Sequence, residues 1–211
     1  MGAASAPAGD RGRDTFVLPP SPFHPAPMLV GVFADVHDHA DNVRRAVRFF
    51  NEAGCGLVLF AGDLVSPLVV PPLRKLTCPL VACWGDNDGN RVGIAGGMRV
   101  VGPVGEPPLC VTAPDGTRFL LCHQLREVRD HLREAAAPAD GGPQVVVYAH
   151  THRHAVARDA AGRLLVNPGE CGGWVSRTPS VALVDTAAEG GPAAKIVPLP
   201  QLGPAVVIEL V

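Results

Sequence analysis

Five short apolar runs set the rhythm of the chain: Met28 to Phe33, Leu57 to Phe60, Leu80 to Trp84, Phe119 to Cys122 and Val145 to Ala149. None alternates with polar residues, so each reads as a strand buried on both faces, as parallel strands are. The segments between the first three have helical character. Asp41 to Ala53 carries Val43, Ala46, Val47 and Phe50 on one face, with Asp41 as the expected N-cap and Gly54 as the stop. Pro67 to Leu76 is expected to form a second, shorter helix, and Arg126 to Ala137 a third with Val128 and Leu132 on one face. Strand, helix, strand, helix, strand predicts crossovers within a parallel sheet.

Beyond Gly89 the pattern breaks into shorter apolar pieces: Met98 to Val101, Pro108 to Thr112, Arg118 to Cys122, Ala155 to Arg158, Leu164 to Val166 and Ser180 to Val184. Asp115-Gly116 and Ala161-Gly162 are hairpin-turn candidates between them. The expected architecture is therefore α/β, two packed mixed sheets with helices outside. Three regions divide the chain: a Pro- and Ala-rich flexible leader over 1–27, a single domain over 28–198, and a tail over 199–211. An edge strand is expected near Ala193, at the end of the domain.

Each apolar run delivers reactive side chains at its end. The first empties into Ala34-Asp35-Val36-His37-Asp38-His39, the second into Ala61-Gly62-Asp63, and the third into Gly85-Asp86-Asn87-Asp88-Gly89. The fourth ends in His123 and the fifth in His150-Thr151-His152. Open α/β sheets build their sites at the C-terminal ends of strands. On an extended backbone, residues two apart point to the same side, which would aim Asp35 and His37 together.

Composition narrows the classes. A chain of 211 residues with 47% apolar residues suits one domain with its own core. A formal charge of −2 gives no electrostatic case for a nucleic-acid or membrane partner. No run of about 18 apolar residues and no secretory apolar core occur, so a cytoplasmic location is expected. The six cysteines lack a Cys-x-x-Cys pair and read as reduced, mostly buried residues instead of zinc ligands or staples.

Taken together, Asp35-x-His37, Gly62-Asp63, Gly85-Asp86-Asn87-Asp88, His123 and His150-Thr151-His152 resemble, in order, the blocks of the calcineurin-like metallophosphoesterases. The likeness is to the small bacterial and archaeal phosphodiesterase branch, and extends from about Leu29 to Asp185, with Asn167-Pro168-Gly169-Glu170 near its end resembling that branch's Asn-Pro-Gly block. It implies a four-layer α/β/β/α sandwich. It also implies Asp35, His37 and His152 on one metal ion, Asp86, His123 and His150 on a second, and Asp63 bridging both.

Three carboxylates and four histidines exceed the needs of one tetrahedral zinc but suit two divalent ions about 3.5 to 4 Å apart. The mixed oxygen and nitrogen donors favour transition metals, manganese first, with Ni, Fe, Zn or Co as alternatives. Such a pair would generate a bridging hydroxide for in-line attack on phosphorus. The expected activity is hydrolysis of a small phosphodiester.

One departure bears on specificity. The family usually has Asn where this chain has Asp86, and the added carboxylate brings a hydroxide-bearing two-metal shell to about zero charge instead of about +1. That favours diester monoanions over monoester dianions. Asn87 is an alternative occupant of the ligand position. Asp88 is expected to orient His123 or another ligand from behind, and His39 to donate to the leaving oxygen or contact phosphate.

Ser66 and Thr151 are weak candidates for a protein nucleophile, Thr151 being better suited to orienting its neighbours. Arg91, Arg153 and Arg177 remain unassigned phosphate contacts, while His24 and His131 read as surface residues. His154 borders the site, and Asn167 to Glu170 read as a structural turn. Loops at Arg91 to Gly97 and Trp174 to Pro179 are the expected specificity elements. Two other functions compete: a non-catalytic scaffold like the retromer subunit of this fold, which also has Gly-Asp in the third block, and a phosphomonoesterase or nucleotidase. Edge strands would permit a homo-oligomer.

Overall fold

The computed structural model describes residues 15–19 and 28–199. The rest of the expected leader, and the expected tail beyond Leu199, lie outside the described residues, as does His24.

All five apolar runs form strands. The first sheet contains β2 (Leu29–Phe33), β3 (Leu57–Phe60), β4 (Leu80–Cys83) and β5 (Val104–Gly105), paired in parallel in that order. Two antiparallel strands, β11 (Ser180–Asp185) and β12 (Ala193–Pro198), extend it beyond β2, with β12 at the edge. The second sheet has the order β1-β6-β7-β8-β10-β9. Its strands are β1 (Thr15–Val17), β6 (Leu109–Thr112), β7 (Arg118–Leu121), β8 (Val145–Val147), β9 (Ala155–Arg158) and β10 (Leu164–Asn167). Both anticipated hairpin turns connect adjacent antiparallel strands, β6 to β7 and β9 to β10. The expected leader thus contributes an edge strand, since Thr15–Val17 pairs in parallel with β6.

Three buried clusters separate four layers. Val30, Val32, Leu57, Leu59 and Val81 meet Leu109, Phe119, Leu121, Val145 and Val147 between the sheets. Outside the first sheet, Phe33, Phe60 and Ala82 pack against helices α1 (Ala40–Glu52), α2 (Val70–Leu73) and α3 (Arg91–Met98). Outside the second, Leu120 and Val146 meet Val128 and Leu132 beside α4 (Arg129–Glu134). The rings of Phe33 and Phe50 lie 5.8 Å apart, and those of Phe33 and Phe60 4.6 Å apart. Each ring buried this way contributes roughly 1.5–3 kcal/mol. Through Phe50 these contacts seat α1, whose N-terminus borders the loop after β2.

The helices differ in detail from the sequence pattern. The N-cap of α1 is His39, whose Nδ1 accepts from Asn42 N at 3.4 Å; Asp41 falls in the first turn and pairs with Arg44. Pro71 and Pro72 confine the second helical region to a 3-10 turn, Pro67–Val69, running into the short α2. The third likewise opens as 3-10 (Leu125–Val128) and ends at Glu134. Arg91–Met98, read as loop, is helical, and Met98 ends that helix instead of starting a strand.

Candidate metal centre

Left-handed backbone aims the donor groups. Asp35, His37, Asp63, His150 and His152 all have positive φ, between 46° and 69°. Such conformations cost non-glycine residues about 1–3 kcal/mol each and persist where the surroundings enforce them. Asp35 and His37 therefore converge through two tight reversals, and not through the alternation of an extended strand. Asp35 N donates to Gly62 O and Val36 N to Asp63 O, locking the loops after β2 and β3 together.

The seven side chains named from sequence meet at one point across both sheets. Asp35, His37 and His152 have donor atoms mutually within 4.8 Å, as do Asp86, His123 and His150. Asp63 lies between the groups: its Oδ2 is 3.5 Å from His37 Nε2 and 3.4 Å from His123 Nε2. Asp86 Oδ1 is 2.8 Å from His123 Nε2 and 3.1 Å from His150 Nδ1. His152 Nε2 faces Asp35 Oδ1 at 3.8 Å. Asp35, Asp63 and His123 are buried, whereas the side chains of Asp86 and His150 are 45% and 43% exposed, so the cluster opens to solvent at that end.

This arrangement fits cations. Asp35 Oδ1 and His37 Nε2 are buried atoms without a hydrogen-bond partner, both turned toward the shared centre. Unpaired buried polar atoms are costly, and neutral imidazoles facing carboxylates are the donor set of a transition-metal site.

The loops beneath have little freedom. His123 Nδ1 lies 2.7 Å from Ala61 O, a contact an Nδ1–H donates, which presents Nε2 to the cluster. Asn87 donates through its backbone and side-chain nitrogens to the two Asp63 oxygens, at 2.9 and 2.8 Å. Asn87 therefore holds Asp63, and Asp86 is the residue grouped with the histidines. Of the two expectations for Asp88 the structure shows the second: it supports another ligand candidate and not His123, accepting from Asp63 N at 3.2 Å as well as from Gly85 N at 2.7 Å and Val65 N at 2.8 Å, which ties the second and third loops. A Cβ at Gly85 would lie 2.1 Å from Asp63 Oδ1, so only glycine allows this approach.

Without cations the charges are in tension. Burial pushes the Asp35 carboxyl up to about 7, against the pull of His123 and His152. Burial also acts to raise Asp63, but hydrogen bonds from His123 and Asn87 outweigh it and hold that carboxyl at about 2. Desolvation opposes a charged His123, yet Asp63 overcomes it and lifts the imidazole to about 9. His37 is lowered, chiefly by burial.

Glu170, read as part of a structural turn, is fully buried with Oε1 3.3 Å from His152 Nδ1. Its oxygens also accept from Val175 N and Ser176 N, and these contacts hold it below the usual carboxylate range against desolvation. Asp-x-His spacing could not reveal it, because it lies far from its partner in sequence. Asn167 completes the support by donating to Ala149 O and Thr151 Oγ1, at 3.2 and 3.1 Å.

The other candidates separate. His39 lies against Trp174, ring centroids 4.8 Å apart, with Nδ1 engaged by the helix cap. Ser66 donates to Asp38 at 2.7 Å and caps the Pro67–Val69 turn. Arg91 stacks over Trp84 and pairs with Glu106. Arg153, His154 and Arg177 are exposed and His131 half-buried; none belongs to a metal-type group among the described residues. Asp38 carries no role in the sequence reading, and Trp174 only that of opening an expected specificity loop. A cavity of about 650 Å³ between α1 and α2, lined by Arg44, Val47, Arg48 and Lys75, includes none of these groups.

Fold and cluster together are those of a two-sheet phosphoesterase, and residues 28–189 match the calcineurin-like phosphoesterase superfamily domain: the chain belongs to that superfamily. Among its relatives is phosphodiesterase MJ0936 of Methanocaldococcus jannaschii, 29% identical over 160 residues that cover 75% of this chain and 93% of the relative. A solved archaeal phosphodiesterase superposes with a TM-score of 0.68 at 26% identity, covering 81% of this chain and all of the other. YfcE, a phosphoesterase from E. coli, shares the fold at a TM-score of 0.57 and 20% identity, over 82% of this chain and all of its own. The chain is thus a homologue of a phosphodiesterase over most of both lengths. No described helix is long and apolar enough to cross a membrane, and the described cysteines form no disulfide with one another.

Proposed function

We propose that this protein hydrolyses phosphodiesters with two divalent transition-metal ions, manganese first among them. Asp35, His37 and His152 would hold one, Asp86, His123 and His150 the other, and Asp63 both. The observation that carries this reading is the place of Asp63 Oδ2, within 3.5 Å of a histidine from each group. Two such ions supply Lewis acidity toward phosphoryl oxygens and a nucleophilic water at neutral pH.

The chain's own groups do the rest. Asn87 fixes both oxygens of Asp63, so the shared carboxylate needs no reorganisation. Asp86, nearly half exposed, adds negative charge at the open end of the site. A diester monoanion meets less repulsion there than a monoester dianion. His39 Nδ1 accepts a backbone N–H, which leaves Nε2 as the protonated nitrogen of the neutral ring, available to donate to a leaving oxygen. The complete donor set also favours an enzyme over a scaffold.

The test is turnover of bis(p-nitrophenyl) phosphate by protein stripped of metal and reloaded with Mn, Ni or Zn, beside Asp63→Asn. Metal-dependent hydrolysis that falls at least a hundredfold in the variant supports the reading. Hydrolysis that is independent of metal, or unaffected by the substitution, refutes it.

A further inference from the structure

Trp174 is one of two tryptophans in the chain and the exposed one: 58% of it is open to solvent, against 8% of Trp84. Exposure alone is ordinary for a single apolar side chain; the placement of this one is what matters. This one sits on the rim of the metal cluster. Its indole Nε1 donates to His37 O at 3.0 Å, and its ring lies 4.8 Å from that of His39.

The loop carrying it is fastened at every step. Cys171 N donates to Ala34 O and Gly172 N to Asp35 O, both at 2.9 Å. The buried Asn42 amide, in the first turn of α1, donates to Cys171 O and Gly172 O, each at 2.9 Å. On the far side, Val175 N and Ser176 N are held by Glu170. With its only polar atom satisfied and its backbone pinned on both flanks, the indole is an oriented apolar surface beside a charged centre. Fixing such a surface before binding reduces the ordering cost of a ligand.

We infer that Trp174 is the platform on which a planar aromatic group of the substrate stacks, so that the preferred diesters carry a nucleobase or an aryl ring on one ester oxygen. This rests on the phosphodiesterase reading and adds the substrate class. Ring-on-ring stacking of this kind is expected to strengthen binding by about tenfold. The indole N–H, being committed to His37 O, takes no part in recognition, so phenylalanine should substitute for tryptophan and alanine should not.

Two readouts test it. In the first, emission of the manganese-loaded protein is titrated with thymidine 5′-monophosphate, phenyl phosphate and methyl phosphate. Saturable quenching by the nucleotide or by phenyl phosphate, absent with methyl phosphate, is expected. Quenching by the nucleotide alone assigns the platform to a nucleobase, and quenching by both assigns it to aromatic rings in general. Equal responses to all three, or none, overturn the inference. In the second, dinucleoside monophosphate hydrolysis by Trp174→Ala should show KM raised about tenfold with kcat within twofold, and Trp174→Phe should stay within threefold of wild type in KM. A fall in kcat shared by both variants would mean that Trp174 only supports His37, which refutes the platform. If no diester is turned over at all, the functional reading fails, and the fluorescence titration still decides the platform.

Discussion

His152 and Glu170 form a pair with Nδ1 and Oε1 3.3 Å apart, while the opposite nitrogen of His152 faces Asp35 at 3.8 Å. One buried carboxylate thus stands behind a metal-ligand candidate and also holds the backbone of the loop bearing Trp174. Carboxylates behind ligating imidazoles fix ring orientation and raise basicity.

Glu170→Gln should weaken the affinity of the manganese that His152 would hold by about 10–100-fold, read by competition with a chromophoric chelator. Glu170→Ala should in addition lower stability by about 1–3 kcal/mol, because Val175 N and Ser176 N lose their acceptor. Unchanged metal affinity in Glu170→Gln would limit the residue to loop support.

Gly85→Ala should abolish metal binding and turnover together. The added methyl would sit 2.1 Å from Asp63 Oδ1 and 2.4 Å from Asp63 N, both part of a backbone-anchored loop that cannot yield. Metal content after purification checks this; two retained ions would show that the loops after β3 and β4 can separate.

Asp86→Asn should shift preference toward monoesters. Removing one charge from the open end of the cluster lowers repulsion of a dianion, and the diester-to-monoester ratio of kcat/KM should drop by about tenfold. An unchanged ratio would mean that Asp86 acts as a ligand without tuning charge.

The metal-free protein should lose stability as pH rises from about 5 to 9. The folded-state value of Asp35, about 7, lies above its unfolded value, so its contribution falls from about pH 4 until pH 7. His123, at about 9, contributes stability that is full below its unfolded value near 6.5 and lost as pH rises through 9. Asp63 works the other way, at about 2: its contribution is present above about pH 4 and lost below. Bound cations should flatten the alkaline decline. Melting temperatures with and without manganese at pH 5, 7 and 9 decide; a flat metal-free profile contradicts the charge arrangement.

Much of this was legible in the chain because parallel strands buried on both faces need unbroken apolar runs, and their C-terminal ends need donors. Val145-Val146-Val147 before His150 could scarcely be anything else. The features that stayed hidden have specific causes. Gly93, Gly96 and Gly97 made Arg91–Met98 look like a loop, although Asn90 caps it and Ile94 and Met98 are buried. Thr15–Val17 is too short to carry a pattern and gains its strand only by pairing with β6. Asp and His tolerate positive φ better than most residues, but it is tertiary contact with the loop at Asp63 that fixes it at Asp35 and His37. Glu170 and Trp174 stand out in the sequence only as part of a turn and of an expected specificity loop; their contacts with His152 and His37 come from the return of that distant loop, which spacing along the chain does not encode.

Asp63 as a shared ligand is the centre of the account, and paramagnetic resonance of manganese-loaded protein, with metal content measured on the same sample, tests it most directly. Two manganese ions per chain with an exchange-coupled spectrum, collapsing to isolated-ion signals in Asp63→Asn, is the result expected. One ion or none per chain, or two that are magnetically independent in the wild type, would contradict it.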